Sequence, residues 1–198
     1  MPGQESVVLG HRLAQDFALT LRTFRYSAAS SGMGSITARL AEFVRELAAT
    51  EIHFVGHSLG GLVIHRFLER FPEQPPGRVV FLGTPSVASR AAEVAARFAP
   101  VAHLMGHSVA EELLQPRERH WTHRDPLGVV AGTQPLGLGQ LLAHFDEEND
   151  GTVAVSETRM PGATDHIVLP VSHLGMLISA RVAQETGLFL TQGHFSLR

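Results

Sequence analysis

Ile52-His53-Phe54-Val55-Gly56-His57-Ser58-Leu59-Gly60-Gly61-Leu62-Val63-Ile64-His65 decides how the rest of the chain is read. Four residues of strand character, Ile52 to Val55, run into Gly-His-Ser-Leu-Gly, and an amphipathic helix starts at once. A strand-to-helix turn this tight holds Ser58 at its tip. The small residues two before and two after it, Gly56 and Gly60, let the backbones pass closely. The hydroxyl is then exposed, and the first amides of the helix point toward any anion forming beside it. A bare G-x-S-x-G is weakly specific; the strand before it and the helix after it give it meaning.

The elbow sits in a chain of 198 residues, the size of a single domain spanning 1–198 with a sizeable core. A hydrophobic fraction of 44% with 18% charged residues places it among globular proteins. The net charge of -3, with no Lys/Arg cluster, argues against a nucleic-acid partner. With no cysteine, disulfides, thiolate metal sites and a cysteine nucleophile are excluded. No basic-then-apolar leader opens the sequence and no apolar run reaches membrane length, so a cytoplasmic protein without stable membrane insertion is expected.

Outward from the elbow, residues 6–9 read as a short strand, 11–17 as a helix, and 19–26 as a second strand by alternation. Ser35 caps a helix over 36–48; the helix after the elbow runs 59–71 and stops at Pro72. Val79-Val80-Phe81-Leu82 is the next strand, ending in Gly83-Thr84-Pro85. Residues 86 to about 125 are irregular and helical, with interrupting prolines. A strand at 128–131, a short helix to Phe145, an acidic turn 146–151, a strand at 166–171 and a helix at 174–190 follow. Strands alternating with helices predict an α/β fold, a mostly parallel sheet with helices on both faces and its site at the carboxyl ends of the strands.

A neutral serine needs an adjacent base that is itself held by a third group. After an elbow of this kind the acid and then the histidine follow in chain order. Among twelve histidines, His173 stands directly beyond a strand, in Leu169-Pro170-Val171-Ser172-His173. Asp150, in Asn149-Asp150-Gly151-Thr152-Val153, is the acid: it follows the strand at 128–131, in a turn that can aim a carboxylate along the sheet edge. Asp146, Glu147 and Glu148 read as a solvated acidic run, and Asp165 sits at the wrong end of a strand.

Together these residues resemble the α/β-hydrolase superfamily, and more narrowly its bacterial lipase/esterase-like members. The likeness is carried by Gly56-His57-Ser58-Leu59-Gly60-Gly61, Leu82-Gly83-Thr84-Pro85, Asn149-Asp150-Gly151-Thr152-Val153 and Val171-Ser172-His173, in matching element order over essentially the whole chain. It implies a Ser58–His173–Asp150 triad, hydrolysis of a small-molecule acyl ester or lipid through an acyl-enzyme, and no metal or organic cofactor. It also implies a helical cap at about 86–125 and an acyl pocket lined by Thr84 and Pro85. His57 and His65, which flank the nucleophile, both read as packing residues or residues that support the site, and His57 is also grouped with the substrate-binding positions.

One stretch departs from that pattern. The family has His-Gly after the strand preceding its first helix, then a loop that completes the oxyanion hole; here Val7-Val8-Leu9 is followed by Gly10-His11-Arg12. Nine residues separate Leu9 from Leu19, where such a crossover takes at least about ten to twelve. The Leu59 amide remains one oxyanion donor, and Gly10 or His11 would have to supply the second. Losing one donor costs about 100- to 1,000-fold in rate. A non-catalytic binding protein on the same fold, and a thioesterase or amidase with the same triad, are the competing readings.

Other histidine spacings suit metal only in part. His103 and His107, and His120 and His123, could each face one way on a helix, but no acidic or sulfur ligand completes either set. Gly32-Met33-Gly34 is too short for a phosphate loop and lacks a following lysine.

Overall fold

A computed structural model of the chain describes residues 5–27, 31–87, 119–136 and 147–196. Its centre is a sheet of four parallel strands in the order β1 Phe54–His57, β2 Val79–Leu82, β3 Leu127–Gly132 and β4 Asp165–Leu169. Around it lie α1 Glu5–Phe17, α2 Met33–Glu46, α3 Leu59–Arg70 and α4 Ala180–Gln192. The inner strands β2 and β3 are buried along their whole length, as their sequences VVFL and LGVVAG require of strands covered on both faces. Val79, Phe81, Leu127 and Val129 pack with Ile36, Leu40 and Val44 of α2 and Val63 and Phe67 of α3. Val80, Leu82 and Val130 pack instead with Leu9 and Leu13 of α1 and Val182 and Phe189 of α4. The period of two along each strand thus divides the core between two helical layers.

The first thirty residues depart from the sequence reading. Residues 6–9, read as a strand, and 11–17, read as a separate helix, form the single helix α1. Leu9 and Leu13 are buried while Val7 is 62% exposed, so an apolar stripe at i and i+4 outweighs the strand propensity of Val7-Val8. Residues 19–26 alternate as a strand should but join no ladder. Leu19 packs on the α1–α4 side, whereas Phe24 and Tyr26 pack on the α2–α3 side. Phe24 lies 5.5 Å from Phe43, ring to ring. The segment is a strap that carries the chain from one face of the sheet to the other.

Elsewhere the differences are of boundary. β1 reaches two residues further than Val55, so the strand runs directly into the elbow. Helix α2 is capped by Gly32 rather than Ser35, with Ile36 N–H on the Gly32 carbonyl at 3.0 Å. β4 ends at Leu169 because Pro170 has no N–H for the ladder. The last helix begins at Ala180, not Leu174: Ser179 Oγ accepts from Val182 N–H at 3.3 Å, and residues 175–177 form a separate 3-10 turn. Most of the expected cap, the pair His103 and His107, and the short helix to Phe145 fall outside the described residues. Ser86 and Arg119 are joined directly, with Arg119 N–H on the Ser86 carbonyl at 3.0 Å. No helix among the described residues is long and apolar enough to cross a membrane.

Candidate active site

Ser58 stands between β1 and α3 with φ 53° and ψ −124°, a region that costs a non-glycine residue about 1–3 kcal/mol. Such a residue persists only where its surroundings fix it. Ser58 N–H bonds the Leu82 carbonyl at 2.8 Å, and the Ser58 carbonyl accepts from Gly61 N–H at 3.0 Å and from Thr84 Oγ1 at 2.9 Å. A Cβ on Gly56 would lie 2.5 Å from the Gly61 nitrogen, and one on Gly61 would overlap the Thr84 side chain. At Gly60 the nearest atom to such a Cβ is the Tyr26 hydroxyl, at 4.0 Å. Among the two following glycines, the tighter requirement therefore falls three residues after the serine, not two.

Asp150 and His173 form the second half of the site. Asp150 lies in a turn whose amides it holds: Oδ1 accepts from Thr152 N–H at 2.9 Å and Val153 N–H at 2.7 Å. Its other oxygen, Oδ2, accepts from His173 Nδ1 at 2.7 Å. The backbone repeats the pairing, with His173 N–H on the Asp150 carbonyl at 2.9 Å. Both side chains are buried. Because a carboxylate oxygen only accepts, this bond places a proton on Nδ1.

All four strands end here. β1 delivers Ser58, and β4 leads through Pro170 and Val171 to His173. Beyond β2, Gly83 has φ +56°, and a Cβ on it would stand 2.9 Å from Asp150 Oδ2 and 3.0 Å from His173 Nδ1. At the end of β3, a Cβ on Gly132 would lie 2.8 Å from Asp150 Cβ. The sequence reading used Gly83 only as part of the Gly83-Thr84-Pro85 stretch after β2 and gave Gly132 no role.

The remaining candidates are distributed as follows. Thr84 and Pro85, expected on the acyl pocket wall, are buried, and the Thr84 hydroxyl is spent on the back of the elbow. His57, read both as a substrate-binding position and as a residue supporting the site, turns to His173: its Nε2 donates to the His173 carbonyl at 2.8 Å, and the ring centroids are 4.6 Å apart. Burial first, then the neighbouring His173, lowers the His57 pKa to about 4, so its ring is neutral at pH 7. Leu59 opens α3, where first-turn amides lack intrahelical partners. Gly10, expected as a second oxyanion donor, lies inside α1, where an amide serves i→i−4 pairing. Ser58 Oγ makes no hydrogen bond to His173 among the described residues.

Asp165 is structural, accepting from His166 N–H and Phe195 N–H, both at 2.9 Å. Glu147 and Glu148 are exposed. Both ring nitrogens of His123 are engaged, one with the Pro72 carbonyl and one with Asp125 N–H, each at 3.2 Å. No group of three or more metal-ligating side chains occurs among the described residues. A cavity of about 140 Å³ lies beside the later turns of α3, lined by His65, Leu68 and Trp121, away from Ser58.

The architecture is that of the α/β-hydrolases. No protein-family model matches the sequence, and no curated protein matches it. Solved structures do match in fold. The mature lipase BlEst2 of Bacillus licheniformis superimposes with a TM-score of 0.63 at 19% identity, over 83% of this chain and 76% of that one. The pyrethroid hydrolase PytH gives 0.64 at 13% identity, over 96% and 94%. The esterase RhEst1 from Rhodococcus sp. ECU1013 gives 0.59 at 17% identity, over 94% and 86%.

Proposed function

We propose that the protein is a serine hydrolase that cleaves carboxylic esters through an acyl-enzyme. One observation carries the reading. A serine held in a costly backbone conformation and a buried Asp150–His173 pair share the carboxyl edge of one sheet. In this mechanism His173 Nε2 takes the Ser58 proton as Oγ attacks the ester carbonyl, and Asp150 stabilises the imidazolium. The Leu59 amide faces the oxyanion. Collapse expels the alcohol, which receives the proton from His173; water then repeats the sequence to free the acid. The names of the comparison proteins, a lipase, an esterase and a pyrethroid hydrolase, support an ester as substrate. Leu136 and Leu174, each about two-thirds exposed near the Asp150–His173 pair, suit an apolar acyl or alcohol group.

A second reading, a binding protein that has lost catalysis, draws on the burial of Gly10 within α1 and on the single oxyanion donor identified. Turnover of p-nitrophenyl esters of short and long acyl chains, with Ser58→Ala as control, separates the two. Ser58-dependent hydrolysis supports the hydrolase; equal background rates from folded wild type and variant support the binding protein.

A further inference from the structure

The polar groups of His173 are unevenly shared. Its N–H and its Nδ1 are both bonded to Asp150, at 2.9 and 2.7 Å. Asp150 in turn is held by its own turn, through Thr152 and Val153. The acid and the base therefore hold each other well, but none of these bonds reaches the elbow. A carbonyl only accepts, so the His173 carbonyl takes its bond from a donor, and that donor is Nε2 of His57 at 2.8 Å. His57 is the last residue of β1 and the covalent neighbour of Ser58. Its ring also lies against that of His173.

We infer that His57 is a positioning residue that ties the Asp150–His173 pair to the nucleophile, setting the reach from His173 Nε2 to Ser58 Oγ. The inference rests on the hydrolase reading above. The backbone explains why an arrangement of this kind is useful: Ser58 and His173 come from strands at opposite edges of the sheet, so their separation depends on two loops. A bond from one loop to the other removes that freedom. The choice of histidine also fits, because a buried neutral ring supplies one donor without placing a positive charge beside the base.

The test compares wild type, His57→Leu and His57→Gln, since the glutamine amide can present a donor near the position of Nε2. Steady-state kinetics on a p-nitrophenyl ester are read alongside the downfield NMR signal of the His173 Nδ1 proton. In H57L, kcat should fall on the order of 100-fold, the effect of about 1 Å of misplacement, with KM little changed. The Nδ1 proton signal should persist, and H57Q should recover at least about tenfold of the loss. Wild-type kcat in H57L overturns the inference. So does an H57L loss that comes with disappearance of the Nδ1 signal and without rescue in H57Q, because His57 would then be supporting the acid–base pair or the fold. A wild type without Ser58-dependent turnover overturns the hydrolase reading itself and this inference with it.

Discussion

Asp150 Oδ2 stands 2.7 Å from His173 Nδ1, and a second bond, from the His173 amide to the Asp150 carbonyl, joins the same two residues through their backbones. The pair is thus held twice, once through the side chains, by the bond that the proposed mechanism uses, and once through the backbone. Asp150→Asn separates these roles. Asparagine keeps an Oδ1 for the Thr152 and Val153 amides, so the turn survives, but its amide nitrogen cannot accept the His173 proton. A kcat loss on the order of 10,000-fold with a nearly unchanged melting temperature is expected, measured by ester turnover and thermal denaturation.

Gly83 is the position where a single methyl group should be most damaging to the pair. Its φ of +56° disfavours any side chain, at about 1–2 kcal/mol, and a Cβ would press on both Asp150 Oδ2 and His173 Nδ1. Gly83→Ala should lower stability by at least that amount in urea titrations and should displace the His173 Nδ1 proton signal.

The two glycines after the nucleophile should respond in opposite ways. Gly61→Ala drives a methyl into Thr84 and is expected to cost about 1–3 kcal/mol. Gly60→Ala meets open space near Tyr26 and adds helix propensity, so stability should hold or rise by up to about 1 kcal/mol. Chemical denaturation of the two variants checks the contrast.

How much of this was legible in the sequence follows from which forces act locally. The elbow, the alternation of strands and helices, and the order Ser58, Asp150, His173 are short-range patterns of period and punctuation, and each is visible in a run of a few residues. The α1 error came from two β-branched residues, Val7 and Val8, whose local preference was outweighed by burial of Leu9 and Leu13 against α4 and the sheet. The roles of Gly83 and Gly132 depend on close approach by a turn far along the chain, which no local pattern encodes. The same is true of His57, whose partner lies 116 residues away.

The ionisation of His57 gives a pH signature. Its folded pKa is lowered to about 4 from the ordinary histidine value of 6.5, so the unfolded chain binds more protons between those values. Stability from this group is therefore full above about pH 6.5 and is lost as the pH falls toward 4. His53, His65 and His166 are shifted in the same direction, chiefly by burial, and share the wild-type slope. His57→Gln should flatten that slope by on the order of 1–3 kcal/mol over the window, read from urea midpoints at a series of pH values.

The central claim is that Ser58 is a nucleophile activated by His173, and covalent labelling tests it most directly. Wild-type protein, Ser58→Ala and His173→Ala are treated with a fluorophosphonate, and the adduct is located by peptide mass spectrometry. The account predicts stoichiometric modification of the peptide carrying Ser58 in wild type, none there in Ser58→Ala, and labelling slowed by orders of magnitude in His173→Ala. Folded wild type that leaves Ser58 unmodified, or labelling at the same rate without His173, would contradict it.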